Sequence, residues 1–339
     1  MKAATEELRA APTARQVQLA RWTSPGFWLT VVAVAVIGLW PLVTGDASLR
    51  ETFFTALLSL ALASSLNIIL GFTGYVSFGH VVFFGLGGYV GMVALNQGVP
   101  LWGALPLGGL AAGVLAYGLG AAILRLRGSY FALATIGVNE ALRAFVNNFP
   151  PFGGATGISL QFSVYRSYGG ATNALWLAYG LLLTACVAVI LLSYAVKTSK
   201  FGLGLMAIRE DEDAAEVMGV VTPNAKTWAY VLSAIIPGIV GVIFFFKNGN
   251  IEPADAFRLQ FSIETIVMVM LGGQGTVLGA VLGAVGYQRL RGFLLTYPPV
   301  KDLQLAIAGG LLLLIVLFIP AGIVGLIRRR VPVLRKFLV

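Results

Sequence analysis

Six polar or charged side chains interrupt long apolar stretches of this sequence, and their types decide what chemistry the chain could perform. A charged side chain at the centre of a lipid bilayer costs at least ~2.5 kcal/mol on insertion scales, so such residues usually face water or pair with one another. Glu140 and Arg143 are three residues apart and can pair on one helix. Glu264 has no cation near it in the sequence, which predicts a partner on another helix. The six residues are Asn67, His80, Asn139, Glu140, Arg143 and Glu264.

The sequence lacks the residue combinations that common catalytic sites need. It contains no G-x-x-x-x-G-K-[ST] pattern, so it does not bind and hydrolyse ATP through a P-loop. A zinc site of the H-E-x-x-H type is impossible with a single histidine. That histidine, His80, follows Ser77 by three residues, but a membrane-buried histidine more often hydrogen-bonds a neighbouring helix. Cys186 lies alone in an apolar run. We therefore expect no enzymatic activity, no cofactor and no metal site.

The composition predicts that lipid surrounds most of the chain. Hydrophobic residues make up 58% of the 339 residues and charged residues only 11%, whereas soluble domains carry about 25% charged residues. The apolar runs are continuous rather than alternating, which favours helices over the strands of a membrane barrel. The net charge of +9 is typical of basic loops beside a membrane, so we do not expect nucleic acid as a partner. The predicted fold is an all-α polytopic membrane protein with about ten transmembrane segments, some short or broken.

The membrane domain is predicted over residues 27–327, and its apolar runs are long enough to cross a bilayer core of roughly 30 Å. The run from Phe261 to Tyr287 is interrupted in its middle by Gly272-Gly273-Gln274-Gly275, which can break it into two segments. The runs are Phe27–Val43, Phe53–Leu70, Val76–Leu95, Leu101–Leu124, Tyr130–Phe149, Ala174–Val196, Thr227–Phe246, Phe261–Tyr287 and Leu303–Ile327.

Basic residues set the predicted orientation, because they gather in cytoplasmic loops. Residues 1–26 and the basic tail 328–339 are placed in the cytoplasm, as is the charged loop 202–226. The polar, glycine-rich connection Pro150–Thr172 is placed outside. Breaking the run at Gly272–Gly275 is what allows the tail to return to the cytoplasmic side.

The charged loop contains one predicted amphipathic helix, Gly204–Met218. Leu205, Ile208, Ala215 and Met218 recur near helical spacing with acidic residues between them. Gly219 is a natural helix stop. Such a helix is either a solvated loop helix or a knob whose apolar residues fill a groove in a cytoplasmic partner.

The segment Asp213-Ala214-Ala215-Glu216-Val217-Met218-Gly219 resembles the E-A-A-x-x-x-G coupling loop of ABC importer permeases, with Asp in place of Glu. Five further motifs accompany it in a characteristic order. Together they resemble the LivM-type permeases of branched-chain amino acid importers. The five motifs are Leu66–His80 (LNIILGFTGYVSFGH), Arg125–Ala132 (RLRGSYFA), Gly153–Ile158 (GGATGI), Leu271–Gly279 (LGGQGTVLG) and Ile319–Gly325 (IPAGIVG).

The resemblance implies an importer of five parts in a bacterial inner membrane. A periplasmic binding protein delivers the amino acid, this chain pairs with a homologous LivH-type permease in membrane lipid, and LivG- and LivF-type ATPases bind ATP and Mg below. Both termini are then cytoplasmic. The residues implied to couple the chain to an ATPase are Leu205, Ile208, Asp213, Ala214, Ala215, Met218 and Gly219.

Polar residues within the membrane domain are candidates for lining the translocation pathway, each also open to a structural role. Related importers carry urea, short amides or aromatic acids, so these substrates are alternatives to branched-chain amino acids. An ion-coupled secondary transporter, using Glu140 or Glu264, is a further alternative that a test of energy source separates from ATP-driven uptake. The candidates are Asn67, Ser77, His80, Asn139, Glu140 and Glu264.

Overall fold

A computed structural model of the chain describes residues 25–296, 303–318 and 322–330. The predictions for residues 1–24 and 331–339 lie outside the described residues. The helices longer than twelve residues are α1 (Pro25–Thr44), α2 (Ala47–Thr73), α3 (Val81–Asn96), α4 (Leu101–Ile123), α5 (Ser129–Asn147), α7 (Ala171–Thr198), α10 (Thr222–Asn248), α12 (Leu259–Gly272), α13 (Val277–Thr296) and α14 (Gln304–Phe318). The shorter ones are α6 (Phe162–Ser167), α8 (Lys200–Glu210), α9 (Glu212–Val217), α11 (Pro253–Ala256) and α15 (Gly322–Arg330).

Among the described residues, five helices are long and apolar enough to cross a bilayer: α1, α2, α4, α7 and α10. The helix α3, with 16 residues, is a shorter apolar helix. The prediction of an all-α polytopic membrane protein is therefore confirmed, and the count of ten segments stays a prediction. The strands β1 (Ile158–Ser159) and β2 (Asn250–Ile251) form one short antiparallel ladder.

The helix α2 is the centre of the bundle. Every residue from Leu57 to Thr73 is buried, and α2 packs against α7, α10, α12 and α13. The helix α3 crosses α10 closely, because a Cβ at Gly87 would overlap the backbone of Gly238. Small residues at this crossing let the two backbones approach, as is common between helices in lipid.

Two ends of the bundle are distinguished by their contacts. One end, which we call the loop side, carries α8 and α9 together with the last turn of α2, the first turn of α10 and the turn between α12 and α13. The other end, the far side, carries the β1–β2 ladder, the first turn of α2 and the last turn of α10. Gly322, at the start of α15, lies against Gly273 and so belongs to the loop side.

The predicted break in the run from Phe261 to Tyr287 is confirmed. The helix α12 ends at Gly272, and α13 begins at Val277. Gly273 has φ +124° and Gly275 has φ +77°, backbone conformations that residues with a Cβ rarely adopt. The two helices then return along each other, and a Cβ at Gly272 would overlap the backbone of Gly279.

The apolar run Leu303–Ile327 does not appear as a single helix among the described residues. The described residues there form two helices, α14 and α15, with residues 319–321 outside the described part. Gly322 has φ +65°, and a right-handed helix cannot continue through a residue in the left-handed region.

Candidate functional site

The stretch Gly74–His80, which we call the connecting segment, joins α2 to α3 without forming a regular helix. Gly74 ends α2 with φ +77°, and α3 begins only at Val81. Side chains from other helices satisfy backbone donors of this stretch and of the first residue of α3. Thr135 on α5 accepts from Phe78 N at 3.1 Å, and Ser262 on α12 accepts from Val81 N at 3.1 Å. Irregular backbone at membrane depth is tolerated where protein surrounds it in this way.

The connecting segment reaches well into the bundle from the loop side. His80 Nε2 lies 3.2 Å from Ser65 Oγ, and both residues are buried. Ser65 stands eight residues before the end of α2, which is about 12 Å along the helix axis. Ser77 Oγ lies 3.4 Å from Tyr230 OH on α10. Ser77 and His80 thus contact different helices and do not pair with each other. The serine that does contact His80 is Ser65, whose hydroxyl donates to Leu62 O at 2.8 Å.

The two buried asparagines connect elements that are distant in sequence. Asn67 donates to Thr276 O at 3.1 Å and accepts from Gly275 N at 2.9 Å, so it fixes the turn between α12 and α13. Asn139 donates to Phe257 O at 3.0 Å. Both side chains are fully buried, and each links its own helix to a turn elsewhere in the chain.

The prediction of one amphipathic helix over Gly204–Met218 is wrong in detail, because two helices occupy this range. The helix α8 ends at Glu210, and Asp211 has extended backbone with φ −158°. The Asp211 carboxylate then accepts from the backbone N–H groups of Asp213 and Ala214, both at 3.0 Å, and so caps α9. Gly219 follows with φ +89°, in agreement with its predicted role as a helix stop.

Most of the apolar residues predicted to fill a partner's groove are buried in this chain instead. Leu205, Ile208 and Ala215 are at most 4% exposed. They cover the loop side of the bundle, because periodicity identifies an apolar face but not the surface that it meets. Met218 is 84% exposed, and Asp213 and Ala214 are also exposed.

Two exposed apolar residues that the sequence reasoning missed accompany Met218 around the end of α9. Val217 is 88% exposed and Val221 is 64% exposed. In the sequence, these two valines fall outside the helical spacing that Leu205, Ile208 and Ala215 share. That difference is the signal that they do not belong to the buried face. Val217, Met218 and Val221 form an apolar patch that this chain leaves uncovered among its described residues, which we call the α9 tip.

Five side chains at the loop side form a connected network, which we call the loop-side cluster: Tyr75, Arg127, Glu212, Asp213 and Lys226. Lys226 Nζ lies 2.5 Å from Glu212 Oε1 and donates to Tyr75 OH at 2.9 Å. Tyr75 OH donates to the other Glu212 oxygen at 2.8 Å. Arg127 pairs with Asp213 at 2.8 Å. Because Tyr75 belongs to the connecting segment, the cluster ties α9 directly to that segment.

The electrostatics of the cluster favour its ionised form. Burial acts to raise the pKa of the Glu212 carboxyl, but hydrogen bonds from Lys226 and Tyr75 and the nearby charges of Lys226 and Arg127 outweigh burial, so the pKa lies below its ordinary value. A hydrogen bond from Arg127, together with its charge, likewise lowers the pKa of Asp213. A second link, Arg209 on α8 donating to Gly71 O at 2.8 Å, holds α8 against the end of α2.

Glu264 lies in a cavity toward the far side, enclosed by α2, α10, α12 and α13. Its partner is Arg291 on α13, with 3.6 Å between Arg291 Nη1 and Glu264 Oε2, so the prediction of a cation on another helix is confirmed. The cavity, which we call the far-side cavity, has a volume of about 190 Å³. Its lining residues are Phe54, Thr55, Leu58, Ser59, Leu62, Phe244, Lys247, Phe261, Glu264, Thr265, Met268, Gln288 and Arg291.

Glu140 stands apart from the other candidates. Its side chain is 57% exposed on α5 and pairs with Arg143 at 3.7 Å, as the three-residue spacing predicted. It does not line the far-side cavity. Among the residues that the structure describes, no group of three His, Cys, Asp or Glu side chains could hold a metal ion.

Comparison with known proteins places this architecture in a family. Residues 48–316 match the family model described as "Branched-chain amino acid transport system / permease component". The permease LivM of Salmonella typhimurium is 30% identical over 88% of this chain and 74% of its own length, and LivM of Escherichia coli K12 is 29% identical over 88% and 75%. The permease LivH of Escherichia coli K12 is 23% identical over 78% of this chain and 90% of its own length.

No solved structure matches the chain. The family match nevertheless covers the connecting segment, the loop-side cluster and the far-side cavity, since all of these lie within residues 48–316. The chain is therefore a multi-pass membrane protein that belongs to the branched-chain amino acid transport permease family.

Proposed function

We propose that this chain is a transmembrane permease subunit of an ABC importer that moves branched-chain or similar amino acids into the cytoplasm. The observation that carries the proposal is the family match over residues 48–316. The sequence has no P-loop of its own, so ATP hydrolysis must come from partner ATPases that bind ATP and Mg. A homologous LivH-type permease and a periplasmic binding protein complete the assembly.

The loop side is the cytoplasmic face in this proposal. The loop side carries four basic residues, as expected for cytoplasmic loops: Arg125, Arg127, Lys197 and Lys200. Ten segments then cross the inner membrane, and both termini lie in the cytoplasm. The far side faces the periplasmic binding protein.

The α9 tip is the proposed contact with an ATPase. ATP can bias a transporter's conformation only through a contact whose energy differs between its states. Among the described residues of the loop side, Val217 and Met218 have the most exposed apolar side chains, and they can fill a groove in a partner. The loop-side cluster transmits a displacement of α9 to the connecting segment, because Glu212 and Tyr75 share a hydrogen bond.

The test is reconstitution of the complex purified by an affinity tag on this chain. We expect a second permease and two ATPases to co-purify, and uptake of leucine into proteoliposomes to require ATP and the binding protein and to ignore ionophores. Uptake that collapses with ionophores would instead identify ion-coupled secondary transport. Ligand titration of the binding protein with leucine, urea, short amides and aromatic acids then decides the substrate class.

A further inference from the structure

The far-side cavity combines charges and apolar walls in a way that fits one chemical class of solute. We propose that it binds a zwitterionic amino acid with an apolar side chain, with the solute's carboxylate at Arg291 and its ammonium group at Glu264. The proposal rests on the proposed function and deepens it, since it assigns a position on this chain where the transported solute is held.

The charged groups of the cavity keep unused bonding capacity. The Arg291–Glu264 contact of 3.6 Å is longer than a hydrogen bond. Arg291 Nε is buried without a hydrogen-bond partner among the described residues, although a guanidinium offers five donors. Glu264 is only 3% exposed and accepts at Oε1 from Gln260 at 2.7 Å. A contact this loose leaves the desolvation of the buried Glu264 carboxylate only partly compensated.

A zwitterion supplies an opposite charge for each member of the Arg291–Glu264 pair. Its carboxylate and ammonium group sit on one carbon, so it can lie beside the pair with each charge against its opposite. Arginine binds carboxylates in a forked geometry that the open Nε position permits. Lys247, whose Nζ lies 2.5 Å from Glu51 Oε2, adds positive charge at the cavity wall without being free to replace Arg291.

The direction of the helices predicts how the solute lies. Lys247 and Arg291 stand near the far-side ends of α10 and α13, whereas Leu62 and Met268 stand deeper in the bundle. The charged groups are therefore nearer the periplasmic end, and an apolar side chain would point into the bundle. A smaller cavity continues in that direction, because it shares Leu62, Phe261 and Thr265 with the larger one and ends at His80.

The size of the cavity fits a small solute. Its volume of about 190 Å³ equals that of about six waters at ~30 Å³ each. This is room for an amino acid with a short branched side chain. Leu58, Leu62 and Met268 form the apolar wall at the inner end, where each buried CH₂ of the solute would gain about 0.8 kcal/mol.

A cysteine-protection experiment on the purified complex tests the proposal directly. Ser59 lines the cavity and is close in size to cysteine, whereas Thr52 lies on the same helix outside the cavity. The native Cys186 is buried, and the chain without an added cysteine supplies the background. We expect millimolar leucine to slow thiol labelling of Ser59→Cys at least threefold and to leave Thr52→Cys unchanged.

Two ligand analogues and two variants identify the charges involved. Leucinol lacks the carboxylate and 4-methylpentanoate lacks the ammonium group, so neither should protect Ser59→Cys. Adding Arg291→Gln should abolish protection by leucine, whereas Arg258→Gln, which removes an arginine from an exposed far-side ion pair with Asp255, should not. Failure of Ser59→Cys to be labelled, or labelling that leucine does not slow, overturns the proposal.

The same preparations separate this proposal from the proposed function. If the wild-type complex imports leucine with ATP while leucine gives no protection, the far-side cavity is not the solute site and the permease function stands. Protection that changes with the headgroup of the surrounding lipid and not with leucine would assign the cavity to lipid and also overturn the proposal. If the wild-type complex neither imports nor binds any amino acid, the proposed function itself fails.

Discussion

The loop-side cluster and the far-side cavity place similar charges in contrasting arrangements. At the loop side, Lys226 and Glu212 are 2.5 Å apart and both share hydrogen bonds with Tyr75. At the far side, Arg291 and Glu264 approach only to 3.6 Å. The loop-side cluster links α9 to the connecting segment through short contacts. The far-side pair leaves hydrogen-bonding groups that the proposed solute would satisfy.

The largest expected effect comes from removing the cation of the loop-side cluster. Lys226→Met leaves the Glu212 carboxylate, whose side chain is 13% exposed, without its closest partner, which costs about 3 kcal/mol. This loss is measured as the difference in the free energy of unfolding between the variant and the wild type in detergent. Arg291→Met is the matched change at the far side, where the 3.6 Å contact already leaves Glu264 weakly paired, so the loss there should be smaller. Equal losses of unfolding free energy in the two variants would contradict the contrast between the loop-side cluster and the far-side pair.

A double-mutant cycle sharpens this result. Lys226→Met combined with Glu212→Gln removes both members of the pair, so its loss of stability should be smaller than the sum of the two single losses. Additive losses would show that the two side chains do not stabilise each other.

The next largest effect is expected at the α9 tip, because the loop-side cluster holds α9 in place. Met218→Asp should weaken the contact with an ATPase by about 2 kcal/mol, which is roughly 30-fold in affinity. The fold should be unaffected, because Met218 is 84% exposed. Co-purification of the ATPases and ATP-dependent uptake measure the change. Phe162→Asp makes the same kind of substitution at an exposed far-side residue and should retain the ATPases.

Intact ATPase binding in the Met218→Asp variant would contradict the docking assignment. Ala215→Asp is a less specific probe, because Ala215 is 2% exposed and the new charge would disturb the chain's own packing. Any loss of ATPase binding in that variant would therefore include a loss of stability.

The pH dependence of stability gives a smaller and gradual effect. The pKa of Glu212 is lowered from its ordinary value of 4.5 in the folded chain, so the ionised carboxylate stabilises the fold above about pH 4.5. That contribution is lost as the pH falls through the folded-state pKa. The midpoint of thermal unfolding should thus fall more steeply from pH 5 to pH 3 in the wild type than in Glu212→Gln. Parallel curves would contradict the assignment.

The smallest expected effect is at Glu140. Its pair with Arg143 is exposed and 3.7 Å long, and such pairs contribute about 0–1 kcal/mol. Glu140→Gln should leave the unfolding free energy of the isolated chain almost unchanged, while Glu264→Gln should reduce uptake. A large loss of uptake in Glu140→Gln with unchanged stability would support the predicted role of Glu140 in lining the translocation pathway.

Hydropathy and charge were sufficient to predict the long helices. The run Leu101–Leu124 corresponds to α4 within one residue, and the glycines of Gly272–Gly275 identified the break between α12 and α13. These features depend on local properties: apolar length, and glycine in backbone conformations with positive φ. The pairing of Glu140 with Arg143 is likewise a property of helical spacing.

Features that depend on distant contacts could not be predicted in the same way. The connecting segment was included in an apolar run from Val76, because Val76 and Phe78 are hydrophobic and the run gives no sign that α3 begins only at Val81. Leu205 and Ile208 have the spacing of a docking face, but spacing does not say which protein covers it. Arg291 as the partner of Glu264 follows only from the return of α13 along α12.

The side-chain bonds of the connecting segment have a consequence for how the protein is made. A hairpin of α2 and α3 inserted alone would carry backbone donors that lipid cannot satisfy. Their acceptors are supplied by Thr135, 57 residues after Phe78, and by Ser262, 181 residues after Val81. We therefore expect α3 to remain in a provisional position during synthesis and to reach its final depth only after α12 has entered the membrane.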